Sequence, residues 1–353
     1  MKCGALTRRR YKRHAFPFAL KIAVAGCGAL GSFYGASLCR AGHEVHFLLR
    51  SDFEAVQRDG VFVRSPKGDF HARPLCANAP EAIGPSELVL IGLKTTANSE
   101  FARLIPPLVG PATAIVTLQN GLGNEEALGQ LFPREQILGG LCFVCLNRLA
   151  PGVIHHMAHG RVVLGEFAGS ATARTRQIAA HFRAAGVRCD VTDDLARSHW
   201  EKLAWNIPFN GLGVASAAGY DPVLSGQWRQ LEMLQACLTT EQLLDGGRWE
   251  KLVRELMGEV IAAAKALGFN VPRTVAEGHI ARTRQMGAYK ASTLIDFERG
   301  QPLELEALFL EPLRQARRAS VAMPRLSVLC GVLEELERRT AEARGRTGRE
   351  PAV

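Results

Sequence analysis

The sequence lacks the long apolar run that a membrane-spanning helix requires. Across 353 residues, no apolar stretch reaches the roughly 18 to 20 residues that cross a bilayer. Residues 1–20 contain no acidic residue and no extended apolar segment of the kind that marks a secretory signal. We therefore expect a cytoplasmic protein without a membrane partner, and we interpret residues 1–20 as a disordered basic extension outside the fold.

The nine cysteines form no disulfide framework. Their number is odd and their spacing irregular, which is typical of a reducing compartment. Cys142 and Cys145 have C-x-x-C spacing, but no second pair and no histidines at ligand spacing accompany them. We interpret both as small residues on a buried strand and predict no metal site.

A formal net charge of +9 gives no nucleic-acid signature, because the excess of basic over acidic residues lies near the two termini. Terminal runs of one charge are usually solvated tails. No aromatic-basic stacking platform is recognisable, so we predict no nucleic-acid partner. An anionic cofactor and substrate would account for cationic residues in a cleft.

Glycine, in contrast, is placed with a clear pattern near the start of the chain. A short apolar run, Ile22 to Ala25, leads into the segment Gly26-Cys27-Gly28-Ala29-Leu30-Gly31, which has the spacing G-x-G-x-x-G. In such a turn the first glycine permits a tight bend, the second admits a pyrophosphate, and the third allows close helix–strand packing. A helix predicted over 29–40 would direct its free N–H groups toward the phosphates. We predict that this segment binds a dinucleotide.

Alternating strands and helices indicate an α/β fold with a parallel sheet as far as about residue 191. They include a helix predicted over 97–108 and short strands predicted over 153–156 and 162–165. From residue 193 the pattern is nearly all helical, including predicted helices over 193–206, 227–245 and 249–267. We therefore expect a Rossmann-type dinucleotide-binding domain over 21–191, an all-α substrate and dimerisation domain over 192–345, and a tail over 346–353. A homodimer would suit the apolar helical half.

Four polar or glycine positions follow predicted strands directly: Gly26, Arg50, Lys94 and Asn120. Ligands of parallel α/β sheets bind beyond the carboxyl ends of the strands, so these positions should line one crevice. Arg50 stands where an NAD-specific protein would carry an acidic residue, and a guanidinium there suits the 2′-phosphate of NADP(H). The adjacent Asp52 is the one residue that argues for NAD.

A second informative stretch lies in the first helix of the helical region. Lys202, Asn206 and Asn210 are spaced i, i+4, i+8 and share one helical face in an otherwise apolar segment. Polar groups in such a place require a ligand or partners of their own. Pro208 should break or bend the helix, which weakens the register to Asn210. An exposed polar face is the alternative interpretation.

A third stretch contains Ser292 and Glu304. Ser292 could cap a helix or bind a carboxylate, and Glu304 lies at an apolar helix start, where it would require a partner such as Lys202. Each residue alone is more often structural.

Together these stretches resemble the ketopantoate reductases over about residues 21–340. The resemblance rests on the glycine segment, Arg50, Leu93-Lys94, Gln119-Asn120-Gly121, the block from Trp200 to Asn206 with Asn210, and Ser292 to Asp296 followed by Glu304. It implies that NADPH reduces 2-dehydropantoate to pantoate, a step toward pantothenate and coenzyme A.

The resemblance also implies residue roles. Lys202 would be the general acid that protonates the ketone oxygen, and Glu304 would hold and tune Lys202 or contact the cofactor. The groups expected to bind substrate are Asn120, Asn206, Asn210 and Ser292. The groups expected to bind cofactor are those of the glycine segment with Arg50, Lys94 and Asn120.

Two departures from the family pattern bear on the substrate. Related chains often carry a further asparagine about ten residues after Asn210, and residues 216–221 contain none. Tyr289 stands where those chains often have a small polar residue. The alternatives are therefore a paralogous NADPH-dependent reductase of another 2-oxoacid and a non-catalytic NADP(H)-sensing protein.

Overall fold

The computed structural model describes residues 19–227 and 234–347. Almost all of the predicted basic extension, residues 228–233 of the predicted helix over 227–245, and most of the predicted tail lie outside the described residues. Among the described residues, no helix is long and apolar enough to cross a membrane.

The N-terminal half is built on one ten-stranded sheet in the order β4-β3-β9-β8-β7-β6-β1-β2-β5, with β10 beside β9. The strands are β1 (Lys21–Ala25), β2 (Glu44–Leu48), β3 (Val61–Arg64), β4 (Phe70–Ala72), β5 (Leu75–Ala77), β6 (Ser86–Ile91), β7 (Val109–Thr117), β8 (Ile137–Ala150), β9 (Val153–Glu166) and β10 (Cys189–Val191). The parallel strand pairs are β5–β2, β2–β1, β1–β6, β6–β7 and β7–β8.

The helices become long and dominant after β10. They are α1 (Ala29–Arg40), α2 (Phe53–Asp59), α3 (Phe101–Leu104), α4 (Asn124–Leu128), α5 (Ala173–Ala184), α6 (Leu195–Ala215), α7 (Tyr220–Ser225), α8 (Thr240–Leu243), α9 (Arg248–Ala266), α10 (Thr274–Arg284), α11 (Ser292–Glu298), α12 (Glu311–Arg318) and α13 (Pro324–Thr347). A π-helical segment, Glu306–Leu310, leads into α12.

The central strands are apolar throughout because both faces of the sheet are covered. On β1, Ile22 and Val24 pack into one core, which includes Phe33 of α1. Ala23 and Ala25 pack into a second core on the opposite face. A continuous apolar run is the expected signature of such a strand. This arrangement places the turn after β1 at the carboxyl edge of the sheet.

The C-terminal half forms a separate core around α6. Helices α9, α11 and α13 pack against α6, and its fully buried side chains include Trp200, Ile207 and Phe209. The predicted bounds of α1 are confirmed, and those of α9 agree to within one residue. The predicted helix over 227–245 is wrong in its described part, because 234–239 is irregular and α8 has one turn.

Three further predictions are corrected. The sheet is mixed rather than parallel, because β8 and β9 form a long antiparallel hairpin and β3 pairs antiparallel with β4. The expected single helix over 97–108 consists of α3 flanked by short 3-10 turns. Pro208 does not end α6, which continues to Ala215. The missing N–H of Pro208 removes one intrahelical donor, while Pro208 and its neighbours Ile207 and Phe209 are all buried, which favours the continuous helix.

Candidate active site

The glycine turn after β1 has the geometry that dinucleotide binding requires. Gly26 has φ of +92°, and a Cβ there would lie 2.2 Å from the backbone nitrogen of Leu93. A Cβ on Gly31 would lie 2.2 Å from the carbonyl oxygen of Gly26, whereas a Cβ on Gly28 would meet nothing within 4 Å. Gly26 and Gly31 therefore shape the turn, and Gly28 leaves a clear approach to the backbone.

The helix after this turn fits an anionic group. Gly28 is the N-cap of α1, and no side chain caps this helix end. The first N–H groups of a helix carry partial positive charge and bind phosphates well. The remaining members of the predicted segment, Cys27, Ala29 and Leu30, are all partly or fully exposed at the same edge. These residues fit the diphosphate of a dinucleotide cofactor.

Arg50 and Asp52 follow β2 but differ in their surroundings. Arg50 is exposed, and its guanidinium has no ion-pair or hydrogen-bond partner within the described residues. Asp52 is buried, and its Oδ1 accepts a hydrogen bond from Nη2 of Arg148 at 2.5 Å. The carboxylate that argued for NAD is thus engaged with the protein itself, while the guanidinium is available to a ligand.

The loop after β7 is held rigidly at the carboxyl edge of the sheet. Nδ2 of Asn124 donates to the carbonyl oxygen of Asn120 at 3.0 Å, and Nδ2 of Asn98 donates to Oδ1 of Asn124 at 2.9 Å. Gly121 has φ of +85°, and a Cβ there would lie 2.3 Å from the carbonyl oxygen of Ala307. The side chain of Asn120 is therefore presented from a fixed backbone.

Lys202 reaches this loop from α6. Its Nζ donates to Oδ1 of Asn120 at 2.8 Å and lies 5.4 Å from the ring centroid of Phe143. The residue is 9% exposed. Burial lowers the pKa of Lys202 below its ordinary value, while Cys142 and the Glu304 carboxylate partly oppose that shift. A buried amine with a lowered pKa gives up its proton more readily than a surface lysine.

Asn206 and Asn210 continue the polar face of α6, and the register holds through Pro208. Asn206 is 4% exposed, and its amide has no hydrogen-bond partner among the described residues. Asn210 accepts at Oδ1 from the backbone N–H of Thr293 at 3.1 Å and from the hydroxyl of Ser292 at 3.3 Å. Asn210 and Ser292 thus meet, whereas Asn206 offers its amide to a ligand.

Glu304 does not form the expected direct partnership with Lys202. Its Oε1 accepts from the backbone N–H of Thr95 at 2.8 Å, and its Oε2 lies 3.7 Å from Nζ of Lys94. This buried carboxylate therefore joins the segment after β6, and it acts on Lys202 through its charge alone. The sequence pattern could not reveal this partner, which is 209 residues away.

Two participants at this site carried no predicted role. Asp296 accepts at Oδ2 from Nζ of Lys94 at 2.6 Å, so Lys94 contacts two carboxylates from the C-terminal half. Phe143 of β8 places its ring beside the Lys202 amine. Asp296 occurs in the Ser292–Asp296 block, so its position relative to Ser292 was the available signal. Phe143 gave none.

Taken together, the glycine turn after β1 and the buried lysine of α6 belong to a protein with a Rossmann-like N-terminal domain and a helical C-terminal domain. Residues 22–169 match the protein-family model described as "Ketopantoate reductase PanE/ApbA", and residues 228–337 match its C-terminal counterpart. The chain belongs to the ketopantoate reductase family, and it is an oxidoreductase by that membership.

Named relatives agree over nearly the whole chain. A 2-dehydropantoate 2-reductase of Nostoc is 37% identical over 93% of this chain and 97% of its own. The crystal structure of a 2-dehydropantoate 2-reductase from Geobacter metallireducens is 47% identical, covers 90% of this chain and 99% of that one, and superposes with a TM-score of 0.81. D-mandelate dehydrogenase with NADH and anilino(oxo)acetate is 18% identical over 91% and 99% of the chains, with a TM-score of 0.76, and shares the fold.

Proposed function

We propose that this protein reduces 2-dehydropantoate to pantoate with NADPH, in the cytoplasm, as a step toward pantothenate and coenzyme A. The observation that carries the proposal is the buried Lys202 amine, which meets Asn120 at the carboxyl edge of a dinucleotide-binding sheet. Two named relatives of more than 35% identity support the substrate.

NADPH is favoured over NADH by the two residues after β2. The exposed guanidinium of Arg50 suits a 2′-phosphate, and the Asp52 carboxylate, paired with Arg148, is withdrawn from the ribose side. The backbone of 26–31 would hold the diphosphate, and Asn120 would border the nicotinamide. Lys94, held by Asp296, would close the opposite side. When bound, the cofactor supplies the hydride that adds to the ketone carbon.

Lys202 would complete the reaction at the ketone oxygen. As hydride adds to the carbon of the C=O bond, negative charge develops on the oxygen, and the ammonium of Lys202 stabilises it and then donates a proton. Asn120 holds Nζ at 2.8 Å and directs it. The products are an alcohol and a neutral lysine, which regains its proton from solvent. Glu304 would favour the charged form of Lys202 before each cycle.

The polar face of α6 would hold the substrate. The amide of Asn206 has no partner among the described residues, so it can bind a hydroxyl or carboxylate of the ligand. Asn210 and Ser292 are joined to each other, which fixes the Ser292 hydroxyl at the start of α11. Ser292 would bind the substrate carboxylate at this helix end.

A spectrophotometric assay of NADPH oxidation across a panel of 2-oxoacids tests this proposal, with NADH as the cofactor control. We expect oxidation that depends on 2-dehydropantoate and is much slower with NADH. Faster turnover of another 2-oxoacid would identify a paralogous reductase, for which Tyr289 and the absence of asparagine in 216–221 provide the structural reason. NADPH binding without turnover of any 2-oxoacid would support a sensor instead.

A further inference from the structure

A buried histidine–carboxylate pair links the two halves of the protein next to the proposed proton donor. Nε2 of His199, on α6, lies 3.1 Å from Oε1 of Glu125, at the start of α4. Their side chains are only 7% and 5% exposed. The proposed function gives this pair no role.

The surrounding residues accommodate the pair specifically. Gly139 of β8 has no side chain, and a Cβ there would lie 2.5 Å from Oε1 of Glu125 and within 3 Å of Leu195. Burying a carboxylate is strongly unfavourable when the carboxylate lacks a partner. The His199 N–H offsets that cost, so the position of Glu125 depends on the position of His199.

The His199–Glu125 contact acts together with the hydrogen bond between Lys202 and Asn120. Glu125, in the first turn of α4, follows Asn120 of the loop after β7 by five residues, and His199 precedes Lys202 by three residues, about one helical turn. Lys202 in turn donates to Asn120 at 2.8 Å. The segment 120–125 and α6 are therefore joined at two points, which fixes both the distance and the rotation of α6 relative to that segment.

Apolar contacts supply only part of this constraint: Leu195 of α6 packs against Leu141 and Val163 of the sheet, but such packing is non-directional. Side chains of α6 such as Ile207 and Phe209 pack with residues of α9 and α13, which belong to the same half of the protein. That packing holds α6 within its own half. The register of Lys202 against Asn120, in the other half, depends on contacts that cross between the halves, and His199 to Glu125 is one of them.

We propose that His199 and Glu125 are positioning residues that hold the Lys202 amine against Asn120 and exclude water from it. This proposal rests on the proposed function for its kinetic consequences. A displacement of about 1 Å at a reacting group can cost roughly 100-fold in rate. Neither residue needs to touch substrate for the effect to appear.

The test uses two variants of one position. His199→Phe fills the same space without an N–H donor, and His199→Gln keeps a donor of similar reach. We expect His199→Phe to lower kcat by roughly 10- to 100-fold while the dissociation constant of NADPH changes less than about twofold. His199→Gln should recover most of the loss. An exposed histidine of β4, His71→Ala, is the control that should leave kcat unchanged.

A second readout needs neither cofactor nor turnover. The pKa of Lys202, measured in the free protein from the pH dependence of its reductive methylation, should rise toward the ordinary lysine value in His199→Phe, because water reaches the amine. Cys142 and Glu304, the other titratable groups that act on Lys202, are unchanged in this variant. If wild-type protein reduces no 2-oxoacid, the proposed function fails, and this titration still tests the pair.

Three results would overturn the proposal. One is a lower melting temperature in His199→Phe with kcat and the Lys202 pKa unchanged, which would show a purely structural role. Another is equal activity of the Phe and Gln variants. If His199→Phe does not fold, the double variant of Glu125→Leu with His199→Phe removes the unpaired carboxylate. The third overturning result would be a folded double variant in which kcat and the pKa of Lys202 equal those of the wild type.

Discussion

The two sides of the candidate site are formed by different parts of the chain, the backbone on one side and a side chain on the other. The proposed dinucleotide side is mainly backbone: in the turn over 26–31, three glycines lack a Cβ, which would clash at Gly26 and Gly31. The proposed reducing side is a side chain, Lys202, whose amine is held by Asn120 and influenced by the charge of Glu304. These three residues come from α6, from the loop after β7 and from the segment before the π-helical turn.

This difference explains why the geometry of the glycine turn depends on residues close in sequence, whereas the properties of Lys202 depend on residues distant in sequence. A glycine turn between a strand and a helix has its geometry determined by neighbours in sequence. A buried amine has its pKa and direction determined by whatever surrounds it in space. Changes at the turn should therefore affect cofactor binding, and changes around Lys202 should affect the chemical step.

The largest expected effect separates these two sides most clearly. Lys202→Ala should lower kcat by about 100- to 10,000-fold, the usual contribution of a general acid. The dissociation constant of NADPH, measured by fluorescence titration, should change little because the glycine turn is intact. Lys265→Ala, at an exposed lysine of α9, is the matched control. Loss of NADPH binding in Lys202→Ala would contradict this separation of cofactor binding from the chemical step.

A second prediction distinguishes two glycines of the same turn. Gly28→Ala places a methyl group where the free protein has open space, so folding should be retained while NADPH binds at least about tenfold more weakly. Gly31→Ala places its methyl group 2.2 Å from a carbonyl oxygen, so the melting temperature should fall. Thermal unfolding and NADPH titration of both variants check this. Unchanged affinity for NADPH in Gly28→Ala would show that the diphosphate of the cofactor does not bind at this turn.

A smaller effect should sharpen the cofactor assignment. Arg50→Ala removes a guanidinium that no described residue binds, so stability should be unaffected. The KM for NADPH should rise roughly tenfold, since a hydrogen bond to a charged group contributes about 1.5 to 3 kcal/mol. The KM for NADH should not change. Arg58→Ala on α2 is the control, and an equal rise for both cofactors would argue against a 2′-phosphate contact.

The sequence was sufficient for features that depend on near neighbours. The bounds of α1 and the role of each glycine in the turn follow from local patterns, and the structure has the expected geometry at Gly26 and Gly31. The shared face of Lys202, Asn206 and Asn210 also follows, because helical periodicity is local. Membership of the family could be predicted from these segments and is confirmed.

Features that depend on distant contacts could not be predicted in the same way. Glu304 meets the Thr95 N–H rather than Lys202, and Asp52 is paired with Arg148, 96 residues away. The strand β9 was expected as two short strands, because His159 and Gly160, both with positive φ, interrupt its apolar pattern. Each of these depends on what packs opposite the residue, which a single sequence does not contain.

The pH dependence of kcat tests the central claim most directly, that the buried amine of Lys202 donates the proton. A general acid must be protonated, so activity is lost as pH rises through its pKa, and burial lowers that pKa below the ordinary lysine value. With saturating NADPH and 2-dehydropantoate, kcat should fall on an alkaline limb below the pH at which a surface lysine titrates, and Lys202→Ala should lack that limb. An identical limb in wild type and Lys202→Ala would contradict the account.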